Sequence, residues 1–317
     1  LLKEQQFELL HCNTPVGAAL SRIAARIYQR RGRKKARRLK VIYTAHGFHF
    51  YKGAPFKYWL LFYPVERWLA RFTDVLITIN EEDYERANKF CRHKKTKVKH
   101  IAGIGIDTFY FSGKELPEGE REAIRDAVRK RLYVKEGELL FLSVGELIPR
   151  KNHAAAIQAF AEIEKESSRN SPFHFRYAIC GQGVLKEDLQ RQIDMAGLSE
   201  KVYLPGYQKD VRGLLYAADV FVFPSHQEGM PVALMEAIAA DVPVIASDIR
   251  GNRELLRRQE NALSFTDAEG LRYALKYVLE HGTELRAHER RTNSKMGDFD
   301  IEQVGKQMQT IYKELEI

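Results

Sequence analysis

Short apolar segments alternate with amphipathic segments along most of this 317-residue chain. Runs such as Leu139–Val144 and Val220–Phe223 have the length and the β-branched or aromatic content of buried strands. Segments between such runs, for example His153–Lys165, repeat apolar residues at a spacing of three to four, which is typical of helices. Strands that alternate with helices predict parallel sheets built from right-handed crossovers. We therefore expect an α/β fold of the doubly wound, Rossmann-like class.

Two such series follow each other, with the glycine-bearing segment 103–113 between them. Each series predicts one Rossmann-like domain, so we expect domains at residues 1–112 and 113–290 and a helical tail at 291–317. Only four strands are predicted before the link, whereas a domain of this kind usually has about six. The chain also opens at Leu1 in a pattern that resembles the end of a helix. We therefore expect the N-terminal domain to be incomplete at its start.

The composition excludes several classes of protein. An apolar fraction of 44% and a charged fraction of 29% are ordinary for a soluble globular chain. The three cysteines show no paired spacing, which argues against a disulfide framework or a zinc site. No apolar run approaches the roughly 18 residues of a membrane span, and no signal peptide is visible. These features favour a cytoplasmic protein with reduced thiols.

Positive charge is concentrated in the first third of the chain. Residues 1–112 contain 22 Lys and Arg against 9 Asp and Glu, whereas the remainder contains 29 against 33. The segment Arg22–Lys40 holds ten basic residues and no acidic residue. Such a segment can bind nucleic acid or the anionic inner leaflet of a membrane, or it can be a solvated helix end and loop. Nucleic-acid binding is the weakest of these interpretations, because Tyr28 is the only aromatic residue in the segment.

The strongest candidate site follows the strand Val220–Phe223. A turn at Glu228–Met230 comes next, and Pro231 stands where the first helical residue is expected. In open α/β sheets, ligands bind at the carboxyl ends of the strands. The unpaired amides of a first helical turn favour an anion such as a diphosphate. Because proline has no N–H, three neighbours are the candidate donors: Gly229, Met230 and Val232.

Two glutamates accompany this turn. Glu236 lies one helical turn after Val232 on the same face, so its carboxylate can accept hydrogen bonds from the ribose of a nucleotide whose diphosphate caps the helix. Glu228 lies in the turn itself and would face the sugar. The alternative is that both are surface glutamates. The combination of strand, turn, glycine and proline favours the functional interpretation.

A second loop, Gly145–Asn152, follows the first strand of the second series. Arg150 and Lys151 should emerge at the same edge of the sheet, just before a helix. Two cations there can neutralise a departing diphosphate, as a metal ion does in other transferases. Two solvated basic residues in a loop are the alternative.

Three further segments follow predicted strands. Gly181 and Gly183 resemble half of a dinucleotide-binding fingerprint, but the third glycine is missing, and they fit better as residues that keep a nucleotide crevice open. Gly206 and Tyr207 follow the next strand and can border the nucleobase. His46 follows the strand Val41–Thr44 and can make a polar contact to the transferred sugar or its phosphate, or it can be structural. His46 with His49 does not predict a metal site, because no third ligand has suitable spacing.

These motifs resemble those of the family four retaining glycosyltransferases, whose GT-B fold consists of two facing Rossmann-like domains. Glu228 and Glu236 reproduce that family's E-x7-E motif, and Lys151 stands where its diphosphate-binding lysine is expected. His46 matches a histidine that follows an early strand of the N-terminal domain. The similarity is strong to bacterial capsular and exopolysaccharide enzymes, and three stretches carry it: residues 43–53, 79–84 and 101–107.

The resemblance implies transfer of a hexosyl unit from a nucleotide-diphospho-sugar, with UDP as the expected nucleotide. It implies retention of the anomeric configuration without a metal or another cofactor. Glu236 would bind the ribose, Glu228 the hexose, Arg150 and Lys151 the diphosphate, and His46 the sugar or phosphate. No side chain is assigned as catalytic base, because the leaving phosphate can take the proton of the acceptor.

The acceptors in such pathways are saccharides or undecaprenyl-diphosphate-linked saccharides. Arg22–Lys40 is therefore interpreted as a surface that contacts an anionic membrane peripherally, at the inner membrane face. Three departures from the family pattern qualify the resemblance: Glu146 replaces a common arginine, Asp241 replaces a common glycine, and the N-terminal glycine-rich loop is missing. A non-catalytic nucleotide-sugar-binding or scaffold protein is the alternative function, because the acceptor side would be incomplete.

Overall fold

The computed structural model describes residues 7–31, 39–167, 173–260, 262–288 and 296–315. The chain folds into two compact units, Leu1–Gly105 with Ile301–Ile317 and Ile106–Asp300. The first division falls within the predicted link, seven residues before the predicted boundary at 112. The second falls at residue 300, so the final helix belongs with the first unit and is not a separate tail.

The first unit is built on a four-stranded parallel sheet whose strands lie in chain order. The strands are β1 Leu9–Cys12, β2 Lys40–Ala45, β3 Val75–Thr78 and β4 Lys97–His100. The intervening helices are α1 Pro15–Arg31, α2 Phe56–Leu69 and α3 Glu81–Cys91. Every residue of β3 is buried, as expected of an inner strand of a parallel sheet. Stacked aromatic rings fill the core beside the sheet, with the centroids of Phe48 and Phe50 4.8 Å apart.

Arg22 lies inside this unit and not on its surface. Its side chain is fully buried, and its Nη1 and Nη2 donate to the Oε2 and Oε1 atoms of Glu66 over 2.9 and 3.1 Å. The guanidinium carbon also lies 4.1 Å from the centroid of the Tyr43 ring. The interpretation of Arg22–Lys40 as one membrane-facing surface is therefore wrong for Arg22, whose charge is neutralised by Glu66. Residues 32–38 of that segment lie outside the described residues.

The second unit is built on a six-stranded parallel sheet. Its strands are β5 Leu139–Val144, β6 Phe175–Cys180, β7 Val202–Gly206, β8 Val220–Phe223, β9 Val244–Ser247 and β10 Leu263–Phe265. Its helices are α4 Thr108–Ser112, α5 Glu120–Arg131, α6 His153–Glu166, α7 Lys186–Met195, α8 Val211–Ala217, α9 Val232–Ala239, α10 Arg250–Leu256 and α11 Ala268–His288. Two 3-10 turns, Pro149–Lys151 and Gly297–Phe299, complete the unit. The predicted α/β class with parallel sheets is confirmed.

The strand order of this sheet is β10-β9-β8-β5-β6-β7. The chain moves outward from β5 to β7, returns to β8 on the other side of β5, and then moves outward again to β10. The order therefore reverses between β5 and β8. Because the loops after two such strands diverge to opposite sides, they leave a crevice at the carboxyl edge of the sheet, where ligands bind in doubly wound folds.

The last helix, α12 Ile301–Lys313, returns to the first unit. The hydroxyl of Tyr312 lies 2.9 Å from Nδ1 of His11, and Lys99 Nζ lies 2.8 Å from Glu314 Oε1. These contacts join residues from both ends of the chain to one sheet. In the described part of the chain, no helix combines the length and apolar composition that crossing a bilayer requires.

Candidate functional site

Two loops meet at the reversal of the strand order. The loop Gly145–Asn152 follows β5, and residues 224–231 follow β8. The backbone N–H of His226 donates to the carbonyl oxygen of Arg150 over 2.9 Å, and Arg150 Nη1 donates to the carbonyl oxygen of Gln227 over 3.0 Å. The predicted cationic loop and the predicted glutamate turn are therefore joined directly.

Glu228 lies between the two predicted cations. Lys151 Nζ is 2.8 Å from its Oε1, and Arg150 Nη1 is 2.8 Å from its Oε2. The side chain of Glu228 is only 8% exposed and that of Lys151 12%, whereas that of Arg150 is 40% exposed. Arg150 also lies 3.9 Å from the carboxylate of Glu146, so two cations face two carboxylates, of which Glu146 is 68% exposed and the more distant. The exposed guanidinium can exchange this distant partner for an anion at the mouth of the crevice.

Helix α9 begins directly after this turn. Its N-cap is Pro231, whose carbonyl oxygen accepts from the N–H of Met235 over 3.1 Å. The helix proper begins at Val232, so the expectation of Pro231 as its first residue is off by one position. Among the residues that the structure describes, no side chain caps this end. The first amides of α9 therefore have no partner from the helix itself and form a second anion-attracting feature beside the cations.

Glu236 lies one turn along α9 and is half-buried. Desolvation raises the pKa of its carboxyl group to about 7. Among the described residues, no side chain forms an ion pair or a hydrogen bond with this carboxyl group. A half-buried carboxyl of this kind is prepared to accept hydrogen bonds from a ligand, and raised pKa values of this origin cluster at functional sites.

Arg250 and Gly251 also contact the site, although sequence reasoning did not identify them. Arg250 Nε donates to the carbonyl oxygen of Glu228 over 3.3 Å. A Cβ atom on Gly251 would lie 2.6 Å from the carbonyl oxygen of Gly229, so only glycine lets α10 pack on the turn. Both residues follow strand β9 at the same sheet edge as Arg150 follows β5. Their place directly after a strand could have identified them from the sequence.

The glycines after β6 have a packing role. A Cβ atom on Gly181 would lie 1.8 Å from the carbonyl oxygen of Gly145, and one on Gly183 would lie 2.3 Å from that of Leu147. The N–H of Leu147 donates to the carbonyl oxygen of Gln182 over 2.8 Å. These glycines therefore hold the cationic loop close against its neighbour. Their assignment as donor-binding residues stays a prediction.

We expect Gly183→Ala to lower the free energy of unfolding by about 1–3 kcal/mol, because the new methyl group must displace the backbone of the cationic loop. Urea-induced unfolding measures the loss. Gly297→Ala is the matched control, since a Cβ atom there meets open space, and its effect should stay within about 0.5 kcal/mol. Equal effects of the two substitutions would show that the loop adapts to the extra atom.

The remaining donor-side residues lie at the same edge of the second unit. Gly206 ends β7 with a φ of 76°, a left-handed conformation that favours glycine, and its carbonyl oxygen accepts from the N–H of Gly181 over 2.9 Å. Tyr207 is 68% exposed and so remains available to a planar ligand, whereas Met230 is buried in the turn. The predicted contact of Tyr207 with a nucleobase stays a prediction.

His46 lies in the first unit, in the loop after β2, with an exposed side chain. Partial desolvation lowers its pKa. His11 was not identified from the sequence, although it too stands near the end of a strand; its Nε2 lies 2.8 Å from the hydroxyl of Thr44. His49 stacks on Phe62 with ring centroids 4.5 Å apart, which indicates a packing role. The assignment of His46 to the transferred sugar stays a prediction.

The structure accounts for two departures from the family pattern. Asp241 has a φ of 55°, and this left-handed conformation explains why glycine is usual at its position. Glu146, which replaces a common arginine, has a 68% exposed side chain and lies 3.9 Å from Arg150 Nη2. Arg150 therefore supplies a guanidinium to the loop in which the usual arginine is missing.

One Asp-x-Asp pattern, a sequence that can hold a metal, occurs at residues 298–300. Its carboxylates have other partners: Asp298 lies 3.2 Å from Arg258 Nη1, and Asp300 accepts from the hydroxyl of Thr108 over 2.6 Å. Within the described ranges, no group of three or more metal-ligating side chains is found. Asp300 therefore joins the start and the end of the second unit, and Asp298 pairs with a residue that follows α10.

Comparison with known proteins identifies the family. Residues 124–296 match the family model described as Glycosyl transferases group 1, and residues 1–108 match the model described as Glycosyltransferase Family 4. The first match alone covers more than half of the chain. The resemblance drawn from the E-x7-E motif is therefore confirmed.

Two relatives and one solved structure show the extent of the similarity. The putative glycosyltransferase EpsD of Bacillus subtilis is 37% identical over 281 residues, which are 88% of this chain and 69% of that protein. The UDP-Gal:alpha-D-GlcNAc-diphosphoundecaprenol alpha-1,3-galactosyltransferase of Escherichia coli is 32% identical over 262 residues, which are 82% of this chain and 62% of that protein. The crystal structure of Anabaena HepE with UDP and glucose superposes with a TM-score of 0.75 at 20% identity, covering 97% of this chain and 78% of that one.

The chain thus spans about two thirds of the length of the two relatives. The strands of both sheets and both motif-bearing loops fall within the residues that the two family models match. The chain therefore belongs to the family four and group 1 glycosyltransferases, has the GT-B fold, and is related to enzymes of bacterial exopolysaccharide and capsule synthesis.

Proposed function

We propose that this glycosyltransferase moves a hexosyl unit from a UDP-sugar to a saccharide or lipid-linked saccharide acceptor, with retention of configuration and without a metal ion. The observation that carries the proposal is the cluster of Glu228 with Arg150 and Lys151 beside the uncapped start of α9. This cluster lies at the reversal of the strand order, where doubly wound folds bind ligands.

The diphosphate is the part of the donor that this cluster suits best. Its negative charge suits the two cations, which can exchange carboxylate partners for phosphate oxygens, and the positive end of the helix dipole. Arg150 and Lys151 are placed to turn part of their hydrogen bonding from Glu228 to phosphate oxygens. The amides of Gly229, Met230 and Val232 lie in the segment that meets such a group. The cations then stabilise the charge that develops as the diphosphate leaves.

The ribose and the hexose are assigned to the two glutamates. Glu236 lies one turn inside α9, so its carboxylate can accept from both ribose hydroxyls while the diphosphate remains at the helix start. Glu228, held between two cations in the turn, faces the hexose. The structure of HepE, which contains UDP and glucose, supports a UDP-sugar as the donor class.

Retention requires that the acceptor approaches the face of the sugar from which the diphosphate leaves. The bond between the anomeric carbon and the β-phosphate oxygen breaks, and a bond from the acceptor oxygen to the same carbon forms. The departing phosphate oxygen takes the acceptor's proton, so no side-chain base is needed. The products are the glycosylated acceptor and UDP. The Escherichia coli relative is a galactosyltransferase named for a diphosphoundecaprenol-linked acceptor, which supports this acceptor class.

A transfer assay tests this function. The protein is incubated with UDP-glucose, UDP-galactose or an N-acetylated UDP-sugar, together with a diphospholipid-linked saccharide and a chelator. We expect UDP release and a product whose anomeric configuration, read by NMR, matches that of the donor. An inverted product would contradict retention. Donor binding without transfer to any acceptor would favour a scaffold protein, and dependence on a divalent ion would contradict metal-independent transfer.

The pKa of Glu236 makes donor binding pH-dependent. Ribose hydroxyls donate to the ionised carboxylate, so binding must compete with a proton whose pKa is about 7. We expect the affinity for UDP to fall by up to about tenfold between about pH 8 and about pH 6. Glu236→Gln, which cannot ionise, should bind UDP more weakly at the higher pH and lose this dependence. Calorimetry at both pH values measures the affinity of the parent and of the variant for UDP. If the affinity of the variant changes with pH as much as that of the parent, the ribose assignment is wrong.

A further inference from the structure

The loop that carries His46 makes a tight turn between β2 and the core of the first unit. Gly47, the next residue, has a φ of 139°, a backbone conformation that favours glycine. Phe48 then returns to the core, where it is 2% exposed and its ring stacks on that of Phe50. The position of the exposed His46 ring therefore depends on how the chain is fixed on either side of the turn.

Neighbouring strands fix the chain before His46. Thr44 lies in β2, is paired in register with Ile77 of β3, and is 4% exposed. Its hydroxyl lies 2.8 Å from Nε2 of His11 in β1, and Nδ1 of His11 lies 2.9 Å from the hydroxyl of Tyr312. Both ring nitrogens of His11 thus have partners, and this histidine secures the chain two residues before His46.

Asp83, in the first turn of α3, fixes the chain after His46. Its Oδ2 accepts from the backbone N–H of Phe48 over 3.1 Å. Asp83 is fully buried and Phe48 nearly so, so that loss of this contact would leave a buried N–H without a partner. An N–H that donates to a carboxylate also makes a stronger hydrogen bond than one between neutral groups. The carboxylate of Asp83 therefore holds the chain two residues after His46.

The start of α3 holds this carboxylate in place. Asn80 is the N-cap of the helix, and its Oδ1 accepts from the N–H of Asp83 over 2.9 Å. Its Nδ2 donates to Oδ2 of Asp83 over 3.0 Å. Glu82 accepts from the N–H of Lys52 over 2.8 Å, which attaches the loop to the same helical turn at a second point. The cap of α3 itself uses only the backbone of Asp83, so helix capping does not explain the bond from its side chain to Phe48.

We propose that Asp83 is a positioning residue of the transferase. Through the N–H of Phe48 it fixes the turn at Gly47, and it thereby holds His46 where this ring contacts the transferred sugar or its phosphate. The inference rests on the proposed function, and within it on the predicted contact of His46. A group in such a site must be held within about 0.5 Å of its productive position by the residues around it. The hydrogen bonds on either side of His46 supply that support.

A double-mutant cycle in the transfer assay tests the proposal. We expect Asp83→Ala and His46→Ala each to lower kcat about ten- to a hundredfold, because a displacement of about 1 Å has an effect of that size. In the His46→Ala background, Asp83→Ala should change kcat less than about twofold, since no imidazole is left to position. Asp83→Asn, which keeps an oxygen that can accept from Phe48, should recover most of the loss. Additive effects of the two alanine substitutions would overturn the proposal, and so would parental kcat in His46→Ala.

Two further variants separate positioning from a loss of fold. Asp267→Ala also removes a carboxylate that accepts from a backbone N–H, that of Gly270 over 2.8 Å, at the start of α11, and it should keep the parental kcat. If thermal unfolding shows that Asp83→Ala does not fold, Gly47→Ala replaces it, because a side chain is strained at a φ of 139° and the turn must shift. We expect the same loss of kcat, and less than about twofold further loss in the His46→Ala background. Additive losses in this second cycle would equally overturn the proposal.

Proton NMR of the free protein gives a measurement that needs no transfer. Partial desolvation lowers the pKa of His46, and His11 is a titratable neighbour whose pKa is lowered by desolvation and then by His46. Release of the loop hydrates the His46 ring, so Asp83→Ala should raise the pKa of His46 toward its ordinary value, whereas Asp267→Ala should not. Loss of a negative charge alone would lower this pKa, so a rise is specific for hydration.

The two measurements distinguish failure of the positioning from failure of the proposed function. The His46→Ala spectrum identifies the signal of His46 by its loss. An unchanged or lowered pKa of His46 in Asp83→Ala would overturn the positioning, even in a chain that transfers sugar normally. A parent chain that binds no UDP and transfers no sugar would overturn the proposed function, while the titration would still show whether Asp83 fixes the ring.

Discussion

Replacing Lys151 with alanine is expected to weaken UDP binding by about ten- to a hundredfold, as expected for losing a charge-assisted hydrogen bond to a phosphate. Its Nζ is the less exposed of the two cations around Glu228, lying 2.8 Å from Oε1. The loss has two parts. The diphosphate loses one cation that would bind it. Glu228 keeps only Arg150 as a counter-ion, so the negative charge of Glu228 repels the diphosphate more strongly.

Lys201→Ala provides a closely matched control. Lys201 also belongs to the second unit, pairs with a glutamate at 2.6 Å, and lies 5.0 Å from an aromatic centroid, as Lys151 lies 5.0 Å from that of Phe223. Its partner is Glu164, far from the carboxyl edge. Calorimetric titration with UDP should show parental affinity for this variant. If both variants bind UDP within about twofold of the parent, Lys151 does not hold the diphosphate.

Replacing Arg22 with methionine is expected to cost the first unit about 3–5 kcal/mol of unfolding free energy. The substitution keeps a long apolar side chain but leaves the carboxylate of Glu66, which is 8% exposed, without its bidentate partner. It also removes the cation above the Tyr43 ring. The double variant Arg22→Met/Glu66→Met should recover most of the loss, because it leaves no buried charge unpaired.

Urea-induced unfolding followed by tryptophan emission measures this effect in the right unit, since Trp59 and Trp68 both lie in α2. Arg86→Met is the control: Arg86 also pairs with a glutamate at 2.9 Å and lies over an aromatic ring, but its pair with Glu82 spans one turn of α3 and is partly exposed, at 18% and 23% of the two side chains. That variant should lose at most about 1 kcal/mol. Similar losses for Arg22→Met and Arg86→Met would show that burial adds little to the Arg22 pair.

Local patterns predicted most of the fold. Strands β5 and β8 occupy the predicted residues, because in each run all residues but at most one, Ser143, are apolar, and a glycine or a proline follows. The Glu228 turn and helix α9 were predicted for the same reason, since every signal for them lies within twenty residues of sequence. The family resemblance then assigned roles to the residues that those patterns had placed at one sheet edge.

Long-range pairing accounts for what was missed. The sequence suggests that Arg22 is part of a basic surface, because its partner Glu66 lies 44 residues later in the chain. The clash that forbids a side chain at Gly183 comes from the carbonyl of Leu147, and the one at Gly251 from that of Gly229. Sequence spacing contains no information about such backbone approaches. Which face of α2 packs inward was missed for a different reason: periodicity shows that a helix has apolar faces but not which of them the core covers.

The return of α12 to the first unit bears on the order in which the protein is made. Tyr312, which contacts His11, is synthesised 301 residues after it. Domains generally fold as units during synthesis, with the N-terminal one first. Here the first unit cannot acquire its last helix until the whole of the second has left the ribosome. The unit that appears first during translation is therefore completed last.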